Sequence, residues 1–354
     1  MKHKIFIRVD SSTNIGTGHV IRCLALAKLL KDRFLVSFIC RNLTGNICNY
    51  IEKNGFKVFL ISGNYETSRD VNDDSESTMK ILEKNGGESN LLIIDHYGLG
   101  KDWESKIHPL VNKIVVIDDL ANREHCSDLL IDQNLYENME KRYENLVSKN
   151  CVKLLGPQYA LLRTEIKMAK KRNLKQKNSL NSILISFGGS DPSNETEKVL
   201  KAIQFLDLKE ILINVIAGFS NPNKISLKNL CSKIPNTFYY DQVDDISQFM
   251  IEADLAIGGG GSTMWERCCL GLPAIVSILA ENQRLASETL ANKGCIINLG
   301  IAKSLSYKDY VDAIKKIDSK TLSMMSKNCM ILVDGEGTTR VANEIFSLLE
   351  KKNA

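Results

Sequence analysis

Residues 5–22 read IFIRVDSSTNIGTGHVIR. The first six residues form a short apolar run, rich in β-branched side chains, that ends on Asp10. Such a run predicts a buried strand. Val20, Leu24, Ala27 and Leu30 then recur at helical spacing. Between them, Gly16 and Gly18 punctuate a turn, with His19 directly after. A strand, a glycine turn and a helix open a βαβ unit, which predicts a parallel sheet covered on both faces.

The same punctuation continues along the chain. Strands are expected at 35–40, 58–61, 91–95, 114–118 and 129–132. Residues 168–181, MAKKRNLKQKNSLN, are rich in Lys and Asn and predict the end of a helix followed by a linker. The pattern then restarts, with strands expected at 182–187, 211–217, 237–240, 255–258, 274–278 and 295–299, and helices at 195–206, 263–270, 283–293 and 338–352. The expected fold is α/β, with two consecutive Rossmann-like domains. The first covers 1–165 and carries the histidine, with a linker at 166–181. A nucleotide-binding domain follows at 182–335, and a closing helix at 336–354. Two open sheets in series predict an interdomain cleft, with ligands beyond the carboxyl ends of the strands. The polar segment 66–77 reads as a solvated loop.

Composition narrows the function. The chain has 354 residues, 44% hydrophobic and 25% charged, with a formal net charge of +4. These values fit an ordinary globular protein and exclude a mainly disordered or fibrous chain. The weak charge argues for no nucleic-acid partner, and no apolar run approaches the ~18 residues of a membrane span. The N-terminus lacks a signal-peptide layout. The ten cysteines form no Cys-x-x-Cys pair. A cytoplasmic protein without a disulfide framework is expected. All five histidines lie within the first 125 residues, so histidine acid–base chemistry belongs to the first domain.

Four segments can carry chemistry. In 10–22, Gly16 and Gly18 allow close backbone approach, and a helix start favours a phosphate. The pattern is neither Gly-x-Gly-x-x-Gly nor Gly-Lys-Ser/Thr, so it matches no dinucleotide fingerprint or P-loop. His19 at the first helical turn is disfavoured from charging, which suits a base near pH 7. A helix-capping turn with an incidental histidine explains the same residues. Asp95-His96-Tyr97-Gly98 and Asp118-Asp119 end two later strands; Asp is also a common strand terminator and helix cap. No metal-ligand spacing occurs among them. In 186–192, Gly188-Gly189-Ser190 can offer amides and a hydroxyl to a phosphate, with Pro192 at the first position of a helix; a tight strand-to-helix turn is the other reading. In 258–266, four glycines clear a patch on which a base can pack. Ser262 follows them, and Glu266 sits one turn on, placed for ribose hydroxyls or merely for the helix dipole. Asn282 and Gln283 suit sugar hydroxyls or acetamides.

Seven motifs occur in order: Arg8-x-Asp10-Ser11-Ser12, Ile15-Gly16-x-Gly18-His19-x-x-Arg22, Ile94-Asp95-His96-Tyr97-Gly98, Asp118-Asp119, Gly156-x-x-Tyr159-Ala160-Leu161-x-Arg163-x-Glu165, Gly188-Gly189-x-Asp191 and Asn282-Gln283. Together they resemble the UDP-2,4-diacetamido-2,4,6-trideoxy-β-L-altropyranose hydrolases of pseudaminic acid biosynthesis. These are relatives of the GT-B glycosyltransferase that makes peptidoglycan lipid intermediates. The resemblance runs from about residue 5 to 295. It implies a GT-B-like fold and release of UDP from a UDP-sugar, water attacking the anomeric carbon with inversion. It also implies no metal and no cofactor. His19 would be the base, with Tyr97 and Asp95 beside the reacting sugar. Gly16 and Gly18 would line the pyrophosphate, Glu266 would bind ribose, and Asn282 and Gln283 the sugar. Arg22, His96, Gly189, Ser190 and Ser262 join them as substrate-binding candidates. A monomer or weak homodimer without membrane insertion is expected. The residues beyond 295 are a departure that bears on sugar specificity. Two other readings are a GT-B glycosyltransferase with an alcohol acceptor and a non-catalytic nucleotide-sugar-binding module. His19 stands against the second.

Overall fold

The computed structural model describes residues 3–63, 68–87, 90–172, 176–243 and 245–350. The chain forms two compact units, residues 1–163 with 336–354, and residues 164–335.

Unit 1 runs β1 (Lys4–Val9), α1 (Gly18–Leu30), β2 (Leu35–Arg41), α2 (Cys48–Lys53), β3 (Lys57–Ile61), α3 (Ser68–Asn85), β4 (Asn90–Asp95), α4 (Lys101–Ile107), β5 (Lys113–Ile117), β6 (Leu129–Asp132) and β7 (Val152–Leu155). Its seven strands are ordered β3-β2-β1-β4-β5-β6-β7, and all paired neighbours are parallel. Unit 2 runs α5 (Thr164–Lys170), β8 (Ser182–Ser186), α6 (Glu195–Leu206), β9 (Leu212–Ala217), α7 (Lys224–Cys231), β10 (Thr237–Asp241), α8 (Ser247–Glu252), β11 (Leu255–Gly259), α9 (Thr263–Cys269), β12 (Ala274–Ile278), α10 (Arg284–Asn292), β13 (Ile296–Ile301), α11 (Tyr307–Lys315) and α12 (Ser319–Leu332). Its parallel sheet is ordered β10-β9-β8-β11-β12-β13. The chain then returns to unit 1 as α13 (Gly337–Glu350).

Both sheets reverse their winding at one place, between β1 and β4 and between β8 and β11. At such a switch point the connections leave in opposite directions and open a crevice beyond the strand ends. The segments after β1 and β4 and those after β8 and β11 therefore fall at the two crevices. These are the segments that the sequence singles out.

The cores follow from the strand pattern. Ile5, Ile7, Leu91, Ile93, Val115 and Ile117 point to one face of sheet 1, against Val20, Leu24 and Ala27 of α1. Val341, Ala342, Ile345 and Leu349 of α13 complete that same cluster. Phe6, Leu92, Ile94, Ile114 and Val116 point to the other face and pack on Trp103 and Leu82. All ten cysteines are free. Among the described residues, no helix is long and apolar enough to cross a membrane.

Three elements differ from the sequence reading. β7 pairs with β6 as an edge strand; its run of four residues, half of them exposed, gives little periodic signal. The polar segment 66–77 is not a solvated loop over its described part. Residues 66 and 67 lie outside the described residues, and from Ser68 on it is α3. Asp74 on that helix is buried and ties two arginines. It accepts from Arg8 Nη2 (2.6 Å), Arg41 Nε (3.0 Å) and the Trp103 indole (3.0 Å). Arg8 also makes a bidentate pair with Asp10, at 2.6 and 2.9 Å. Lastly, α6 begins at Glu195, so Pro192 is not its first residue. Asp191 reaches forward to cap the helix, accepting the Glu195 and Thr196 N–H groups at 2.8 and 3.0 Å.

Candidate active site

In unit 1, β1 and β4 are neighbours with Val9 opposite Asp95. The register sets the two following turns side by side. After β1, the Ser12 hydroxyl accepts the N–H groups of Asn14 and Ile15, at 3.2 and 2.9 Å. Gly16 N–H closes the turn onto Ser12 O at 2.9 Å. Gly16 has φ +80°, with open space where a Cβ would stand. Backbone conformation, not crowding, asks for glycine there. α1 begins at Gly18, its first turn uncapped by any side chain, and His19 is its second residue.

His19 is 12% exposed, and its Nδ1 lies 2.6 Å from Asp95 Oδ1. Arg22, one turn on, grips the same carboxylate through Nε (2.7 Å) and Nη2 (2.6 Å). Its Nη1 reaches Asp119 Oδ2 at 3.2 Å. Burial opposes ionisation of Asp95, but the Arg22 guanidinium and His19 outweigh it and hold the carboxyl well below the usual range. A permanent carboxylate can only accept, so His19 Nδ1 carries a proton there, which in a neutral imidazole leaves the lone pair at Nε2. Arg22 Nη2 also lies 3.2 Å from Nδ1, but the shorter Asp95 contact decides the tautomer. The Tyr97 ring meets the imidazole edge to face, centroids 4.6 Å apart. Burial and the neighbouring Asp119 raise the Tyr97 pKa, so the phenol keeps its proton.

His96 behaves differently. Its Nδ1 accepts the Gly98 N–H at 2.9 Å, and its Nε2 faces Asp10 at 3.5 Å. Burial, helped by Arg8, pushes its pKa down to about 3. The ring is neutral and both nitrogens are turned to the protein. It braces the turn that presents Tyr97.

Beside this group, Asp132 ends β6. Burial and the nearby Asp119 push its pKa up from 3.8 to about 7, against the Asn134 N–H, Arg142 and the Tyr143 hydroxyl. The folded protein therefore holds a proton that the unfolded chain has lost above pH ~4. That stabilisation is full below pH ~4 and disappears as the pH rises through about 7, on the order of 1.4 kcal/mol for each pH unit between the two. Denaturant midpoints should fall between pH 5 and 8, and Asp132→Asn should flatten that slope. Asp10 and Asp95, both lowered, act with the opposite sign and only at more acid pH.

In unit 2, β8 and β11 are neighbours, with Gly258 opposite Ser186. Gly188 has φ +77°. The 188–189 backbone packs so closely on Gly218 that a Cβ there would lie 2.1 Å from Gly188 O. Gly189 and Ser190 are half-buried in this turn. The glycine run corrects its sequence reading. Gly258, Gly259 and Gly260 are buried. A Cβ on each would meet Ser186 O at 2.2 Å, Leu279 at 2.8 Å and Ser287 Oγ at 2.5 Å respectively. These three are buried rather than a surface patch, and make room for protein neighbours. Gly261 alone of the four has space, with Gln283 Nε2 at 3.7 Å. Behind the run, buried Arg267 donates from Nη2 to Gly259 O at 2.8 Å; nothing in the sequence pattern signals it. Gln283 spends its Oε1 on the Leu279 N–H at 3.0 Å, leaving its Nε2 beside Gly261. Ser262 and Asn282 are half-buried, and Glu266 is 5% exposed, one turn into α9.

The structure thus gathers His19, Arg22, Asp95 and Tyr97 in unit 1, with Gly16 and Gly18 in the preceding turn and His96 in the bracing turn. In unit 2 it places Gly261 beside Gln283. The sequence reading gives Asp119 only as a strand-end acid and residue 132 only as the end of an expected strand; their contacts bring both into the unit 1 group. Residues 183–342 match the glycosyltransferase family 28 C-terminal domain. The chain is 30% identical over 293 residues to the UDP-2,4-diacetamido-2,4,6-trideoxy-β-L-altropyranose hydrolase of Campylobacter jejuni, covering 82% of this chain and 97% of that one. It is 32% identical over 290 residues to an uncharacterised protein of Methanocaldococcus jannaschii. That match covers 79% of this chain but only 57% of the relative's length. Among solved structures, MurG of Acinetobacter baumannii superposes with a TM-score of 0.68 at 15% identity, covering 98% and 100% of the two chains. That likeness establishes a GT-B-like pair of Rossmann-like units.

Proposed function

Because the chain belongs to the family of the UDP-2,4-diacetamido-2,4,6-trideoxy-β-L-altropyranose hydrolases, we propose that it hydrolyses a UDP-linked 2,4-diacetamido-2,4,6-trideoxyhexose, in the cytoplasm, for nonulosonic acid synthesis. The observation that carries this reading is the contact of His19 with Asp95, 2.6 Å from Nδ1 to the carboxylate. Its Nδ1–H is committed to Asp95, and its Nε2 is free to take a proton from water. The water oxygen bonds to the anomeric carbon as the C–O bond to phosphate breaks, its proton passes to Nε2, and UDP leaves with the bonding pair. Configuration inverts. The transition state has oxocarbenium character, so a positioned base contributes roughly 10²–10⁴-fold. UDP is a good leaving group and needs donors for its developing charge, not an acid.

Roles follow the geometry. Asp95 orients His19. Arg22 is assigned to holding Asp95, because its guanidinium is engaged there and at Asp119. His96 is assigned to the turn and Tyr97 to the sugar side of the imidazole. Gly16, Gly18, Gly189 and Ser190 offer backbone and hydroxyl donors to phosphate; Ser262, Glu266, Asn282 and Gln283 are assigned to nucleoside and sugar.

The test is turnover in ¹⁸O-water without any acceptor alcohol. UDP should appear unlabelled, with one label at C1 of the sugar. Label in UDP would mean attack at phosphorus. UDP release that waits for an added alcohol would favour a transferase.

A further inference from the structure

We propose that Asp119 is a positioning residue of this site, fixing the His19 imidazole through Arg22 and Tyr97 together; the proposal rests on the base role given to His19. Five side chains close a circuit. His19 Nδ1 meets Asp95 at 2.6 Å, and Arg22 grips Asp95 at 2.6 and 2.7 Å. Arg22 reaches Asp119 Oδ2 at 3.2 Å. The Tyr97 hydroxyl faces the Asp119 carboxylate, which helps raise its pKa, and the Tyr97 ring lies edge to face on His19 at 4.6 Å. The contacts come from α1, the end of β4 and the residue two beyond β5. Asp95 fixes one atom of the imidazole, and the Tyr97 ring limits rotation about that bond. Asp119 is the only member of the circuit that holds both arms.

The placement of Asp119 is poor for stability. Its Oδ1 is buried without a hydrogen-bond partner, which ordinarily destabilises. It also faces the buried Asp132 carboxyl, whose proton affinity it raises. Its backbone oxygen, in contrast, is held by Tyr136 (3.0 Å) and Arg142 (2.9 Å). Those bonds survive any side-chain change. A carboxylate kept where packing disfavours it points to a task in the site, and the two groups it touches define that task.

Asp119→Asn in the full chain separates this from a structural role. The denaturant midpoint should be unchanged or higher, and UDP affinity within about twofold. The kcat should fall roughly 10- to 100-fold at similar KM. The low-field Nδ1–H proton of His19 should broaden or shift in NMR spectra. In a Tyr97→Phe background, already missing one arm, the same change should cost much less kcat. A variant that unfolds, loses stability in step with activity, or keeps both kcat and the His19 signal overturns the proposal. If the unaltered protein releases no UDP, the hydrolase reading fails, while the His19 signal and midpoint still decide the role of Asp119.

Discussion

His19→Ala should reduce UDP release by roughly 10²–10⁴-fold while leaving UDP affinity within a few fold. The split is expected because the imidazole has one open nitrogen, and its other contacts, to Asp95, Arg22 and the Tyr97 ring, do not build the glycine turn. Its Nδ1 is spent on Asp95, and the turn before it is built by Ser12 and Gly16 without its help. The Asp95–Arg22 pair remains intact in the variant, so the site should not collapse. His19→Gln, which keeps a polar group but cannot accept a proton at neutral pH, should be as inactive. Single-turnover UDP release and calorimetric UDP titration measure the two halves. Turnover within about tenfold of the unaltered protein would remove His19 from the chemistry.

The second large effect concerns stability. Asp74→Ala removes the carboxylate that Arg8 and Arg41, both fully buried, share. Breaking a buried ionic network by removing one partner typically destabilises by about 3–5 kcal/mol. The Trp103 indole would also lose its acceptor. Trp103→Phe, which removes that hydrogen bond and part of the buried indole, should cost less, about 1–2 kcal/mol. Urea unfolding of the two variants tests the contrast. Similar midpoints for both would mean that water or another carboxylate neutralises the arginines.

How much was legible depended on what each residue signals locally. β1, β4 and β5 were readable because buried parallel strands carry unbroken β-branched runs, and their ends brought Asp95, Tyr97 and Asp119 to one place. Asp74 was invisible. A polar helical turn looks the same whether its acid faces water or two arginines 33 and 66 residues away. The glycine run misled for a related reason. Glycine is required wherever another group comes close, and the sequence does not say whether that group is a ligand or, as at Gly258 and Gly260, a neighbouring chain segment. His96 and His19 likewise look alike in sequence; only the partners of their nitrogens separate a brace from a base.

The return of α13 to the first unit has a consequence for biogenesis. Val341, Ala342, Ile345 and Leu349 fill a face of α1, yet a ribosome exposes them only after the whole second unit has been made. The amino-terminal half therefore waits with an oily groove uncovered, although vectorial folding usually completes early segments first. Nascent chains stalled before residue 336 should engage holdase chaperones through that groove and let go once the final helix emerges.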